Sequence, residues 1–187
     1  MKDNILIILL LLCLTLLKMQ AQEPILLYPD GVPESNGLEG KESYRDAEFI
    51  RDISEPRMLY FPAPTSKKRQ PAVLICPGGG YGGVAMIKEG EEIARWFNGL
   101  GINAFVLYYR MPNGHHYIPL KDAQTAMEMI RARAKEWNIN TSKVGVMGFS
   151  AGGHLASTVA TKSTNKRNKA NFAVLAYPVI TMNEAFT

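Results

Sequence analysis

The clearest indication of chemistry in this sequence is a serine in a G-x-S-x-G pattern centred on Ser150. An apolar stretch, Val144–Met147, leads into the pattern, and a helical stretch follows it. Between a strand and a helix, the pattern predicts a nucleophile elbow, a tight turn that projects the serine hydroxyl above a sheet. Gly148 and Gly152 keep the turn free of side chains that would collide. The N–H of Ala151, at the helix start, would face a developing oxyanion.

A second glycine-rich segment, Cys76–Gly83, also follows an apolar stretch. Its glycines match G-x-G-x-x-G, which is typical of a dinucleotide-binding turn when a helix begins within the glycines and an acid ends the next strand. Here the helical pattern starts near Lys88, and the next strand ends at Arg110. We therefore favour an oxyanion loop that faces the elbow over a dinucleotide site or a plain turn, because bare glycine backbone can approach a reacting carbonyl.

Alternating strands and helices must position these two loops. We predict strands at 57–61, 72–76, 103–109, 144–147 and 172–180, and helices at 88–100, 120–137 and 151–161. Short strands that are apolar throughout indicate a mostly parallel sheet with helices on both faces. The predicted fold class is α/β, a three-layer sandwich. Residues 23–38, which are rich in Pro and Gly, are predicted to form an irregular lead-in.

The first residues of the chain have the features of an export signal. The stretch Ile5–Leu17 is apolar apart from one cysteine and one threonine, and it follows a start that carries Lys2. As a helix it rises about 20 Å, less than the roughly 30 Å of a bilayer core, so no stable membrane span is expected. A small residue, Ala21, marks the cleavage site. We predict a signal peptide over 1–21, a single domain over 22–187, and a secreted or periplasmic protein.

The composition is that of an ordinary globular domain, with 47% apolar and 20% charged residues. These values exclude a disordered chain and a coiled coil. The net charge of +4 is spread along the chain, and the one dense basic stretch, 162–169, has no aromatic residue, so no nucleic-acid partner is expected. Cys76 is the only cysteine after residue 21, which excludes an internal disulfide and a two-cysteine zinc site. No metal or organic cofactor is implied.

Together the two glycine-rich motifs resemble a known family. Pro77–Tyr81, with Gly148–Ala156 around the serine, is similar to bacterial α/β-hydrolases of the acetyl-xylan esterase type, a group that includes enzymes deacetylating plant cell-wall polysaccharides. The resemblance covers about residues 24–182 and implies an α/β-hydrolase fold. Supporting matches are Tyr109-Arg110 at a strand end and Asp122-Ala123 at the start of the long helix.

The resemblance also implies roles for individual residues. Ser150 would be the nucleophile, and Ala151 together with a glycine of the 78–80 run, Gly79 or Gly80, would donate to the oxyanion. Tyr81 and His116 are candidates for lining a substrate cleft, while a plain surface position remains the alternative for His116 and its neighbour His115. Tyr108, Tyr109, Arg110 and Asp122 are predicted to be structural, with Arg110 close to the acid.

A serine hydrolase also needs a base for the hydroxyl proton and an acid that orients the base, and in this fold both follow the serine. Downstream of Ser150 there is no aspartate, Glu184 is the one acid, and His154 is the one histidine. His154 lies one helical turn after the serine, and we predict that it packs in the body of the domain. We therefore expect the C-terminal part of the domain, with the acid and the base, to be absent, and this chain alone to be inactive.

The leading interpretation is a secreted or periplasmic serine esterase that deacetylates a plant polysaccharide or oligosaccharide, with acetylated carbohydrate as its partner. A serine peptidase of the same fold and a non-catalytic, hydrolase-like binding module are the alternatives. A later Asp followed by a His in the gene would favour an enzyme over a binding module. Aryl acetate and aminoacyl-anilide substrates would separate an esterase from a peptidase.

Overall fold

The computed structural model describes residues 23–181, so the predicted signal peptide lies outside the described residues. In chain order the strands are β1 (Ile25–Leu26), β2 (Ser43–Asp46), β3 (Phe49–Arg51), β4 (Arg57–Phe61), β5 (Gln70–Cys76), β6 (Gly83–Ala85), β7 (Asn103–Tyr108), β8 (Ile139–Phe149) and β9 (Ala173–Ala176). The helices are α1 (Glu92–Gly99), preceded by a π-helical turn at Ile87–Glu91, α2 (Ile118–Ala132) and α3 (Ser150–Thr161). None of the helices described is long and apolar enough to cross a bilayer.

Six strands form the main sheet in the order β1-β4-β7-β5-β8-β9. The pairs β7-β5, β5-β8 and β8-β9 are parallel, whereas β1-β4 and β4-β7 are antiparallel. The remaining strands form a small antiparallel sheet in the order β2-β3-β6. The predicted α/β class with a mostly parallel sheet is confirmed.

The helices lie on both faces because of the direction in which the chain moves through the sheet. The connection through α1 runs from β5 to β7 in one direction, whereas α2 leads from β7 to β8 and α3 from β8 to β9 in the other. Since such crossovers are right-handed, opposite directions place their helices on opposite faces. Helices α2 and α3 accordingly pack against each other, while α1 packs on β4 and β7. The result is the predicted three-layer sandwich.

The central strands are buried because both of their faces are covered. Val73–Cys76 in β5 and Ala104–Leu107 in β7 are entirely inaccessible to solvent, as are Val144 and Val146 in β8. Burial on both faces requires apolar residues at every position rather than at alternate ones. The strands predicted at 72–76, 103–109 and 144–147 are confirmed, although β8 begins earlier, at Ile139.

The prediction of five strands is wrong, since the described residues contain nine. The additional strands β1, β2, β3 and β6 have two to four residues each, and every residue of β2 is exposed. Segments of this length are too short to show hydrophobic alternation, and antiparallel pairing with other strands defines them. Strand β1 also lies within residues 23–38, which were predicted to be irregular.

The long helix is shorter than its apolar pattern indicates. It ends at Ala132 rather than Trp137, and turns continue to Asn138, which has a φ of 54°. The ring of Trp137 packs against Tyr60 and Phe105 and is buried, so the apolar spacing persists beyond the helix. Burial in the core therefore explains the pattern better than helical conformation does.

Candidate active site

The two glycine-rich motifs meet at the carboxyl ends of adjacent strands, β5 and β8. Cys76 at the end of β5 pairs with Gly148 at the end of β8. From these ends the chain departs toward opposite faces, to α1 and to α3, and this divergence opens a crevice. In open α/β sheets such crevices are the usual place for ligands. The fold therefore brings together the two segments that the sequence singled out.

Ser150 lies on a sharp turn between β8 and α3. Phe149 is extended, with φ −119° and ψ 137°, whereas Ser150 has a φ of 49° and begins the helix. A positive φ is uncommon for residues other than glycine, and it concentrates at functional sites, where surrounding structure enforces it. The serine therefore has the strained backbone expected of a nucleophile elbow.

The flanking glycines are required by close backbone approach. A Cβ at Gly148 would overlap the carbonyl oxygen of Gly152, and a Cβ at Gly152 would overlap the carbonyl oxygens of Cys76 and Pro77. Only the first of these collisions lies within the turn. The second joins the start of α3 to the end of β5, so Gly152 also sets the distance between the two motifs.

The glycine-rich loop places its backbone directly beside the serine. A Cβ at Gly78 would lie 3.0 Å from the Cβ of Ser150 and 2.8 Å from the carboxylate of Glu89. The N–H of Gly78 donates to Glu89 Oε2 at 2.6 Å, so this N–H is not free for a substrate. Within residues 23–181, neither the N–H of Gly79 nor that of Gly80 donates a hydrogen bond. The predicted oxyanion donors thus remain available, and the first glycine of the run does not.

The predicted cleft residues Tyr81 and His116 line one cavity. Its volume is about 600 Å³, and its wall also includes Pro112 and His154. The Tyr81 hydroxyl and His154 Nδ1 are hydrogen-bonded at 2.8 Å, and their rings meet edge to face. Burial raises the pKa of Tyr81, so its hydroxyl stays protonated and can donate.

The prediction that His154 packs in the body of the domain is wrong in one respect. The side chain is only partly buried, because it points to the cavity and its ring leans on Tyr81. Burial, with a smaller contribution from Lys162, lowers the pKa of His154. Among the described residues, no histidine or carboxylate is hydrogen-bonded to the Ser150 hydroxyl. Residues 23–181 therefore place no general base at the serine.

Three of the residues predicted to be structural, Tyr109, Arg110 and Asp122, are fully buried. Tyr109 is fully buried and donates its hydroxyl hydrogen bond to the Pro77 carbonyl at 2.7 Å, beneath the glycine-rich loop. Arg110 and Asp122 form a fully buried ion pair, with Nη2 and Oδ1 2.6 Å apart. Burial raises the pKa of Asp122, against the opposing effect of the guanidinium. Cys76 is also buried, and burial raises the pKa of its thiol to about 12.

Two further residues of this region, Glu89 and Tyr177, are not among those predicted from the sequence. The Tyr177 hydroxyl donates to Glu89 Oε1 at 2.5 Å, and Tyr177 itself has a φ of 34°. Just beyond it, the Val179 N–H donates to the Ser150 carbonyl at 3.1 Å. The one signal in the sequence was an acid shortly after the glycine-rich loop, and a first-turn helix acid explains that pattern equally well.

Comparison with known proteins gives a consistent set of relatives. The chain is 45% identical over 113 residues to an acetylxylan esterase of Xylanibacter ruminicola, which covers 60% of this chain and 23% of that protein. It is 37% identical over 127 residues to endo-1,4-beta-xylanase B of Butyrivibrio fibrisolvens, which covers 60% of this chain and 20% of that protein. It thus spans less than a quarter of either relative.

Solved structures agree. The acetyl ester-xyloside bifunctional hydrolase of Caldicellulosiruptor lactoaceticus superimposes with a TM-score of 0.66 at 34% identity, covering 85% of this chain and 58% of that one. MGS-M1, an α/β hydrolase enzyme from a deep-sea metagenome library, gives 0.63 at 38% identity, covering 69% and 54%. The resemblance to acetyl-xylan esterase-like α/β hydrolases is confirmed. A family model described as BD-FAE matches residues 58–182, more than half of the sequence, and the chain therefore belongs to the BD-FAE family within the α/β hydrolases.

Proposed function

We propose that the protein is an exported serine esterase that removes acetyl groups from a plant polysaccharide or oligosaccharide, with Ser150 as its nucleophile. The observation that carries the proposal is the geometry of Ser150, which has a φ of 49° and lies beside a glycine-rich loop with two unbonded N–H groups. Two of its relatives, an acetylxylan esterase and an acetyl ester-xyloside bifunctional hydrolase, support acetyl esters as the substrate class.

In this reaction the Ser150 hydroxyl attacks the ester carbonyl and forms a tetrahedral intermediate. Ala151 lies in the first turn of α3, where backbone N–H groups have no acceptor within the helix. Its N–H therefore donates to the oxyanion. Gly79 or Gly80 supplies the second donor. Each such donor contributes about 10²–10³-fold in rate. Collapse releases the sugar hydroxyl and leaves an acetyl-serine, which water then hydrolyses to acetate.

The cavity beside Tyr81 is the proposed site for the sugar. Its volume of about 600 Å³ suits a small ring with its substituents. The Tyr81 and His154 pair offers polar groups to sugar hydroxyls, and the faces of Tyr81, Pro112 and His116 offer apolar contact. The ester and the sugar would therefore be bound by adjacent parts of the same crevice.

Two parts of the proposed enzyme lie outside the described residues. The base and its acid come from polypeptide outside residues 23–181, because no histidine or carboxylate within that range is hydrogen-bonded to the Ser150 hydroxyl. Residues 1–21 direct export, which suits a polysaccharide substrate too large to enter a cell, and the mature protein begins at Gln22.

The test is hydrolysis by the complete product of the gene. We expect turnover of an aryl acetate and of acetylated xylo-oligosaccharides, and no turnover of aminoacyl anilides. Ser150→Ala should abolish it, whereas the matched control Ser157→Ala, on the same helix, should leave it unchanged. Cleavage of anilides alone would replace the esterase with a peptidase, and no turnover of any of these substrates would favour a binding module.

A further inference from the structure

One carboxylate links the loops that follow β5 and β9. Glu89 lies in the π-helical turn between the glycine-rich loop and α1. Its Oε2 accepts the Gly78 N–H at 2.6 Å, and its Oε1 accepts the Tyr177 hydroxyl at 2.5 Å. This hydrogen bond is also the main reason that the pKa of Tyr177 rises to about 12. Both carboxylate oxygens are therefore engaged by donors from different parts of the fold.

The first of these bonds acts together with a backbone bond to constrain the direction of the next N–H group. Gly78 is held at both of its polar groups, since its N–H bonds Glu89 and its carbonyl accepts the Ala85 N–H at 2.9 Å. In a trans peptide the carbonyl and the following N–H point in opposite directions. The Gly79 N–H must therefore point away from Ala85. The two hydrogen bonds of Gly78 thus constrain the direction of the Gly79 N–H.

The second bond connects the carboxylate to the serine turn. The Tyr177 ring packs on Phe149, with ring centroids 5.8 Å apart. Two residues later the Val179 N–H holds the Ser150 carbonyl at 3.1 Å. Glu89 thus connects, through Tyr177, the loop that carries the proposed oxyanion donor and the turn that carries the proposed nucleophile.

We propose that Glu89 is a positioning residue, whose carboxylate, held by Tyr177, fixes Gly78 so that the Gly79 N–H faces an ester bound at Ser150. The inference rests on the proposed function, in which Ser150 is the nucleophile. In this proposal Glu89 acts through the backbone of Gly78, whose N–H it accepts, and the substrate is held by other groups.

Kinetics of the complete gene product test this role. Glu89→Ala should lower kcat by about 10²-fold with KM within about 2-fold, because an oxyanion donor acts mainly in the transition state. Glu89→Gln keeps an oxygen that can accept the Gly78 N–H, so it should recover most of the lost rate. Tyr177→Phe should cost about 3- to 10-fold, as expected for the loss of one hydrogen bond of ordinary strength at an exposed side chain.

The matched control is Glu91→Ala, which removes an acid of the same π-helical turn that pairs with Arg95 at 2.6 Å. It should leave kcat and KM unchanged. A kcat in the Glu89 and Tyr177 variants equal to that of the wild type would overturn the proposal. So would an equal loss of kcat in the Glu91 variant, since any disturbance of the turn would then suffice.

A second readout is independent of catalysis. In the amide NMR spectrum of this chain, the Gly78 proton should lie far downfield, because a carboxylate is a strong acceptor at short distance. Glu89→Gln should move it upfield, and Glu91→Ala should not. A Gly78 proton at an ordinary position would overturn the proposal even in an active esterase. A downfield proton in a protein whose hydrolysis survives Ser150→Ala would instead overturn the assignment of the nucleophile.

Discussion

Strands β8 and β9 are parallel neighbours with similarly apolar sequences, yet they differ sharply in burial. In β8, Val144–Phe149 is buried throughout, whereas no residue of β9 is buried and Val174 and Leu175 are 40% and 42% exposed. Both strands end at the crevice. The end of β8 is enclosed by the end of β5 and the start of α3, which overlap any side chain added at Gly152.

Within residues 23–181, this difference gives the site one closely packed part and one less enclosed part. Close packing and hydrogen bonds fix the backbone conformation around the serine and the proposed oxyanion donors. Preorganised electrostatic stabilisation requires such fixed donors. Hydrogen bonds from Tyr177 to Glu89 and from Val179 to Ser150 tie the segment after β9 to the rest of the site. We therefore expect substitutions on the β5–β8 side to cost far more stability than equivalent ones on β9.

The largest effect is expected at Gly152. Gly152→Ala should cost at least about 3 kcal/mol of unfolding free energy, because its Cβ meets two backbone carbonyls that cannot move aside cheaply. The bulkier Gly152→Val should prevent folding. Denaturant titration and soluble yield measure both effects.

The matched control is Gly99→Ala, at the end of α1, where a Cβ would have nothing within 4 Å. Removing a glycine there should leave stability unchanged or slightly higher, since alanine favours helix more than glycine does. Equal stabilities of the two alanine variants would show that the elbow is not tightly packed.

Next in size is the ion pair behind the cleft. Asp122→Asn should destabilise the fold by about 3–5 kcal/mol, because it leaves the buried Arg110 guanidinium without a counter-charge. The change is read from the denaturant midpoint. Glu136→Gln breaks the exposed pair with Arg133 and should have no measurable effect. A loss of comparable size in both variants would mean that the buried pair has no special role.

Two isosteric changes compare the strands directly. Val146→Thr places a hydroxyl in the buried part of β8 and should cost about 1–3 kcal/mol. Val174→Thr makes the same change on β9, which is exposed in this chain, and should cost less than about 0.5 kcal/mol in a protein of residues 22–187. Equal costs would remove the distinction between the two parts.

The smallest effect concerns pH. Because burial holds the pKa of His154 below its ordinary value of 6.5, protonation is disfavoured in the folded state. The corresponding stability is present above that value and is lost as pH falls through the lower pKa of the folded state. Between about pH 7 and pH 5, the wild type should therefore lose more stability than His154→Asn. Parallel pH profiles from denaturant titrations would contradict this.

The sequence predicted the fold best where burial dictates residue type. Short apolar runs at 72–76 and 144–147 indicate strands covered on both faces, and the glycines around Ser150 indicate a tight turn. The helix was predicted to extend to Trp137, because a buried aromatic residue continues the apolar pattern whether or not it lies in the helix.

What the sequence did not predict depends on pairing across the fold. The exposed residues of β2 are strand because β3 pairs with them, and nothing in Ser43–Asp46 indicates this. The Glu89 bonds to Gly78 and Tyr177 join residues 11 and 88 positions apart. Propensity and periodicity describe local preference, so neither contains these contacts.

The most direct test of the central claim is labelling with a fluorophosphonate, which reacts with an activated serine. In the complete product of the gene, mass spectrometry should find the label on Ser150, and Ser150→Ala should abolish it. Residues 22–187 alone should stay unlabelled, because the loss of base and acid leaves only the weak assistance of the oxyanion donors. Label on another residue, or stoichiometric labelling of residues 22–187 by themselves, would contradict the account.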